Sequence, residues 1–244
     1  MNAQTNNRPL FYLKFCSEEQ FARDVCDGNL YANTAEFFRQ MEINSGERGQ
    51  GDRFETTLSI DTLNISIVDR ITHQEILTAP KGNMMVRFGV DSDIPIVSFV
   101  GIPFDQMDII EADDNHTSFR LPFTQDEYET IEKKFGKYCV VISGKELEQR
   151  IAYYCAVNGF DFIFDKVEYC AQNTIERIEA FNKGSKKRFL YKDKDLEYQR
   201  EYRLAIGIEI PEDHFLRVGK LESAAYLLSR VLKDIVITVN YKSE

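Results

Sequence analysis

Between Thr57 and Val100 apolar and polar residues alternate with a period of two, and no other feature narrows the fold as much. The run "LSIDTLNISIV" alternates cleanly, and "MMVRFGV" and "IPIVSFV" follow it. Such a period suits strands with one buried face and does not suit a helix, so the stretch predicts a meander or antiparallel sheet. On either side the spacing changes. "LFYLKF" at 10 to 15 reads as a strand. "SEEQFARDVCDG" then has Ser17 as a cap, Phe21 and Val25 at helical spacing, and Gly28 as a stop.

"NLYANTAEFFRQME" predicts a strand at Leu30 to Ala32, a cap at Asn33 or Thr34, and a helix through Phe37, Phe38 and Met41. "NSGERGQGDRFE" carries three glycines and predicts a loop. "FDQMDIIEADDNHTSF" is acidic and reads as a solvated loop. Thr124 with Glu127, and Ser143 with Glu146, form two capping-box patterns around the strand "KYCVVI". The second predicted helix carries Leu147, Ile151 and Tyr154 on one face. "FDFIFDKVEYC" predicts a strand, Asn173 to Asn182 a helix, Tyr202 to Ile210 a buried or half-buried strand, Glu222 to Leu232 a closing helix and "DIVITVN" a last strand. Without strict strand–helix alternation, this order predicts an α+β fold: a mainly antiparallel, twisted sheet with flanking helices. A chain of 244 residues, 43% hydrophobic, is expected to form one domain over residues 1–244.

Charge and cysteine usage limit the function classes. A net charge of -10 argues against a general duplex-DNA partner, which needs a cationic face. Cys16, Cys26, Cys139, Cys155 and Cys170 form no C-x-x-C pair and sit beside apolar or aromatic neighbours, the pattern of reduced thiols packed in a core. No apolar run reaches membrane-spanning length, and "MNAQTNNRPL" lacks the pattern of a signal peptide, so no membrane partner and a cytoplasmic location are expected. His73, His116 and His214 are too scattered to suggest a metal site, and no obligatory cofactor is implied. The basic run Lys183, Lys186, Lys187, Arg188, Lys192 and Lys194, interleaved with Phe189 and Tyr191, reads either as a patch for a pyrophosphate or RNA backbone or as a solvated loop offset by Asp193 and Asp195.

"YQREYR", at the mouth of a hydrophobic strand, places Gln199, Glu201 and Arg203 on alternate positions. In chain order "FYLKF" (11–15), "LYANTAEFF" (30–38), "GDRFE" (51–55), "KVEYC" (166–170), "FLYK" (189–192) and "EYQREYR" (197–203) resemble the pattern of a bacterial and phage family, the domain of unknown function 2971 (DUF2971) type. Arg53 stands where that family has proline, and Gln199 where it has the first glutamate. Gln-x-Glu at a strand entrance is in turn similar to the catalytic corner of ADP-ribosyltransferases. This likeness implies an ADP-ribosyltransferase-like fold, NAD as substrate, Glu201 acting at the ribose and Gln199 positioning an acceptor. It also implies Lys14 on phosphate or ribose, and Tyr31 or Thr34 lining a nicotinamide pocket, with Lys192 and Arg203 as further ligand contacts.

Lys14 replaces the usual Arg or His of that group, and its Ser-Thr-Ser strand is missing. The resemblances together imply a nucleotide-handling protein of a phage-defence or toxin–antitoxin system, either catalytic or a non-catalytic module that senses a nucleotide or binds a protein partner. The residues themselves leave a plainer alternative, in which Glu201 pairs with Arg203, Arg200 or Lys14 at a sheet edge. Asp52 and Glu55 in the glycine-rich loop either close over the site, bind a metal, or serve turn chemistry alone.

Overall fold

The computed structural model describes residues 8–221, 223–228 and 234–241. In chain order the elements begin with β1 (Pro9–Cys16), α1 (Glu19–Cys26), β2 (Asn29–Tyr31), β3 (Asn33–Thr34) and α2 (Ala35–Ser45). Next come β4 (Thr57–Thr62), β5 (Ile65–Val68), β6 (Glu75–Ala79), β7 (Gly82–Arg87), β8 (Pro95–Pro103), β9 (Asp108–Ala112) and β10 (His116–Arg120). They are followed by α3 (Gln125–Phe135), β11 (Tyr138–Ser143), α4 (Gly144–Asn158), β12 (Phe162–Lys166), β13 (Glu168–Tyr169) and α5 (Ile175–Asn182). The rest are β14 (Tyr191–Lys192), β15 (Glu201–Ile206), β16 (Phe215–Arg217), β17 (Ala225–Leu227) and β18 (Val236–Asn240).

The central sheet runs β12-β15-β8-β1-β11-β17, with β3 added beside β8, and every pairing in it is antiparallel. Helices flank this sheet, so the fold is α+β, as the order of sequence patterns predicts. The two faces of β15 divide the interior by its period of two. Tyr202, Leu204 and Ile206 join Tyr12, Val97 and Phe99 in the main core, under Leu147, Ile151 and Cys155 of α4. Glu201 and Arg203 point the other way. Gly101 serves this packing, because a Cβ there would stand 2.2 Å from the Tyr202 ring.

β8 pairs with β15 along one edge. On its other edge it meets two strands end to end: β3 at Pro95 and Ile96, and β1 from Val100 onward. The β1 ladder stops at Leu13 opposite Val100. Val97, Ser98 and Phe99 therefore face an opening on that edge, and the central sheet is split there.

Several sequence expectations need correction. The acidic stretch 104–119 is not a loop: β9 and β10 form an antiparallel pair, joined on the far side by β18. Charge misleads here because β9 is exposed along its whole length and still pairs with β10, whose Thr117, Ser118 and Phe119 are buried. Glu18, not Ser17, is the N-cap of α1, and it makes no side-chain cap bond. Thr124 and Glu127 do form the full capping box of α3, whereas the Ser143 side chain caps nothing. In α4 the buried face carries Leu147, Ile151 and Cys155, while Tyr154 is half-buried.

β15 ends at Ile206, well before Ile210. The closing helix expected at 222–232 is overturned for Ala225–Leu227, which pair with β11 as a strand; 222 and 229–232 lie outside the described residues. No helix among the described residues is long and apolar enough to cross a membrane.

Candidate functional site

The split in the sheet opens into a cavity of about 410 Å³, within the size range of small-molecule sites. Its lining includes Lys14, Tyr31, Asp52, Glu55, Lys192, Gln199, Glu201 and Arg203. Five separate stretches of sequence supply them. Thr34, the other candidate for the nicotinamide pocket, is engaged elsewhere: its hydroxyl accepts the Phe37 N–H as the N-cap of α2.

The base of the cavity is a buried network of charges. The Arg203 guanidinium, 1% exposed, donates from Nε to Glu201 at 2.8 Å, grips both oxygens of Glu55, and donates to the Phe189 carbonyl at 2.7 Å. Lys192 Nζ sits 2.6 Å from the other Glu201 oxygen and donates to Gln199 Oε1 at 2.9 Å. Gln199 Nε2 in turn donates to the Gly49 carbonyl at 2.8 Å, tying the glycine-rich loop to the strand entrance. Ser98, opposite Arg203 in the β8–β15 register, donates its hydroxyl to Glu201 at 2.5 Å. Each partner needs the others, since an unpaired charge at this depth would be costly.

Burial alone would push the Glu201 carboxyl up. The adjacent Arg203 and Lys192 charges outweigh it and hold the group at about 2, so Glu201 is an anion at every ordinary pH. Glu55 moves the opposite way: burial pushes it up, against the pull of Arg203.

Lys14 occupies the split itself. Its ammonium donates to the Ser98 carbonyl at 2.8 Å and lies 5.4 Å from the Phe99 ring centre. Thus a side chain, not a backbone N–H of β1, serves this carbonyl. Burial lowers the Lys14 pKa below the ordinary lysine value.

The glycine-rich loop reaches the cavity because Gly51 packs hard on α2. A Cβ at Gly51 would lie 2.5 Å from the Phe38 carbonyl oxygen. Asp52 forms an Asx turn, its carboxylate accepting the Phe54 N–H at 2.9 Å, while Glu55 reaches Arg203. The loop thus serves both turn geometry and the charge network.

Arg200 has a left-handed backbone, φ 45°, between the two cavity residues. This turn sends its side chain away to Gln106 and the Phe123 ring, so Arg200 is not the partner of Glu201. The ion partners of Glu201 are Arg203 and Lys192.

The basic run does not form a patch. Lys183 pairs with Glu179, Lys186 with Asp161, Arg188 with Asp91, and Lys192 with Glu201. Phe189 and Tyr191 are buried and present no face on which a base could stack. Lys183, Lys186, Lys187 and Lys194 are exposed, as the solvated reading expects, whereas Lys192 is buried in the charge network.

Ser98, Phe38, Met41 and Lys134 also line the cavity, and sequence reasoning missed them. The one available signal was a serine in the middle of the apolar run "IPIVSFV". Tyr31, half exposed at the rim, stacks on His214 with ring centres 5.4 Å apart. Comparison with protein-family models, with curated proteins and with solved structures gave no match to this chain.

Proposed function

We propose that this protein binds a nucleotide in the split-sheet cavity and acts on NAD, as an ADP-ribosyltransferase or NAD glycohydrolase. One observation carries the reading: Lys14, Tyr31, Gln199 and Glu201, named by resemblance from three distant segments, line one cavity around a carboxylate held ionised. When the bond from ribose C1′ to the nicotinamide nitrogen breaks, its electron pair leaves with nicotinamide and positive charge develops on the ribose. A fixed anion stabilises that charge. Water or an acceptor then adds at C1′ and releases its proton. In this reading Tyr31 stacks on the nicotinamide and Lys14 faces phosphate or ribose. The family likeness extends the proposal to a role in phage defence or a toxin–antitoxin pair.

A second reading, a non-catalytic nucleotide sensor, draws on a different observation. Both Glu201 oxygens are already engaged by Ser98, Arg203 and Lys192, which suits a carboxylate that organises a pocket.

Glu201→Gln separates the two. For the enzyme, nicotinamide release from NAD falls about 100-fold or more while the fold persists. For the sensor, the wild type releases none, and NAD or ADP-ribose raises the melting temperature of both proteins by similar amounts. Wild-type protein that releases no nicotinamide and shows no thermal shift with NAD, ADP-ribose or ATP would overturn both readings.

A further inference from the structure

The long ribbon between α2 and β8 takes no part in the cavity's charge network beyond its first residues, and among the described residues nothing covers its outer half. β4 pairs with β7 and β5 with β6, all antiparallel, and among the described residues none of the four pairs with any other strand. The base is anchored: Leu58 is buried, Arg177 donates to the Thr57 carbonyl, and the Ser59 N–H donates to Gln172. Beyond it every residue of β5 is exposed, and so are all of β6 but its last residue.

A two-stranded ribbon in water is marginal without a third strand or a covering element. The composition deepens the difficulty. The register sets Ile65 opposite Ala79 and Ile67 opposite Leu77, so one face is an apolar stripe. The other face carries the hydrogen-bonded pair Ser66 and Thr78. Leu63 and Ile71, in the turns at either end of β5, are 86% and 88% exposed. Contiguous exposed apolar surface of this kind marks an interaction site.

We infer that the apolar face of this ribbon packs on the same face of a second copy of the chain, forming a two-fold dimer. Charge selects that occupant. Asp61, Asp69 and Glu75 balance Arg70, Lys81 and Arg87, so the ribbon is formally neutral in a chain of net charge -10. An arm built for a nucleic acid would be basic, and one built for a cationic protein would be acidic. A neutral arm meets its own copy without repulsion, whereas the rest of this acidic surface resists self-association. By strand alternation one face offers about half of the ribbon's roughly 30 residues, a small contact on the scale of stable interfaces, which suits a dimer of moderate strength. The register shift between Ile67 and Val68 is a bulge that discourages edge-to-edge strand addition, leaving the face as the docking surface. This inference is independent of the proposed activity.

Sedimentation equilibrium of the full chain from about 1 to 100 μM, a range bracketing a dissociation constant of ordinary strength, tests it. The wild type is expected at twice the chain mass over most of the range. Ile67→Glu and Leu77→Glu, exposed positions that leave far-UV circular dichroism unchanged, each weaken the dimer at least about 10-fold, the loss of one well-packed contact. Ser66→Glu, on the opposite face, leaves it intact. Ile67→Glu mixed with Ile67→Lys re-associates as a heterodimer. A wild type that stays monomeric throughout, or a dimer indifferent to Ile67→Glu and Leu77→Glu, overturns the inference and returns the stripe to a foreign partner.

Discussion

Glu201 shows how much a residue's role depends on neighbours that sequence distance hides. Its i+2 partner Arg203 is legible from strand periodicity. Lys192 was legible as a member of a basic run and, through the resemblance, as a ligand contact, but not as a partner of Glu201; Ser98 showed only as a serine in an apolar run, because the β8–β15 register alone sets that strand beside the glutamate. The depressed pKa of Glu201 has a thermodynamic consequence. A group held at about 2 against an ordinary 4.5 stabilises the fold by about 3 kcal/mol at neutral pH, taking 1.36 kcal/mol per pH unit. Because the folded value is the lower one, this stabilisation is fully present above pH 4.5 and is lost as pH falls toward 2. Glu55, pushed up by burial, has the opposite sign. Urea unfolding of the wild type and Glu201→Gln from pH 7 to pH 2.5 should therefore show a stability gap that narrows through this window. A gap of constant size would show that Glu201 is not held ionised by its partners.

Among the elements, the helix starts offer a direct comparison. Thr124-x-x-Glu127 and Ser143-x-x-Glu146 are the same sequence pattern, yet only the first forms the reciprocal bonds. The difference comes from what precedes each helix. Thr124 follows an irregular segment free to turn. Ser143 is the last residue of β11, paired with Phe11, and its backbone N–H goes to the Ala224 carbonyl. Strand geometry thus fixes its orientation before the helix can use it. Thr124→Ala should cost about 1 kcal/mol in denaturant unfolding, the usual worth of an N-cap, and Ser143→Ala only a few tenths. Equal losses would contradict the assigned caps. Helices and central strands were legible because their apolar periods are long and regular. β9 and β10 were not: Asp108 and Glu111 give "DIIEA" an acidic look with no regular alternation, and "HTSFR" is mostly polar.

For the whole molecule, the fold class was legible from the order of patterns, while the opening in the central sheet was not. A sequence does not announce where a ladder stops: β1 remains a strand through Cys16 even though its pairing with β8 ends at Leu13. Lys14 is the residue most tied to that opening, since its ammonium serves the Ser98 carbonyl. Lys14→Met, which keeps the apolar stem and removes the donor, should cost about 1–3 kcal/mol, the worth of leaving a buried acceptor unsatisfied. Lys14→Arg should cost less, because a donor remains. Equal stability of Lys14→Met and wild type would mean that the carbonyl finds another partner without difficulty.

The interrupted ladder also carries an evolutionary implication. Pairing β1 to β8 beyond Leu13 would close the edge of Val97, Ser98 and Phe99 that now opens on the cavity. Capacity in such a design is adjusted like a zip fastener, by where the teeth stop meeting. Side chains at the last tooth, Lys14 above all, are therefore where descendants of this chain could change what fits inside without redrawing the rest of the molecule.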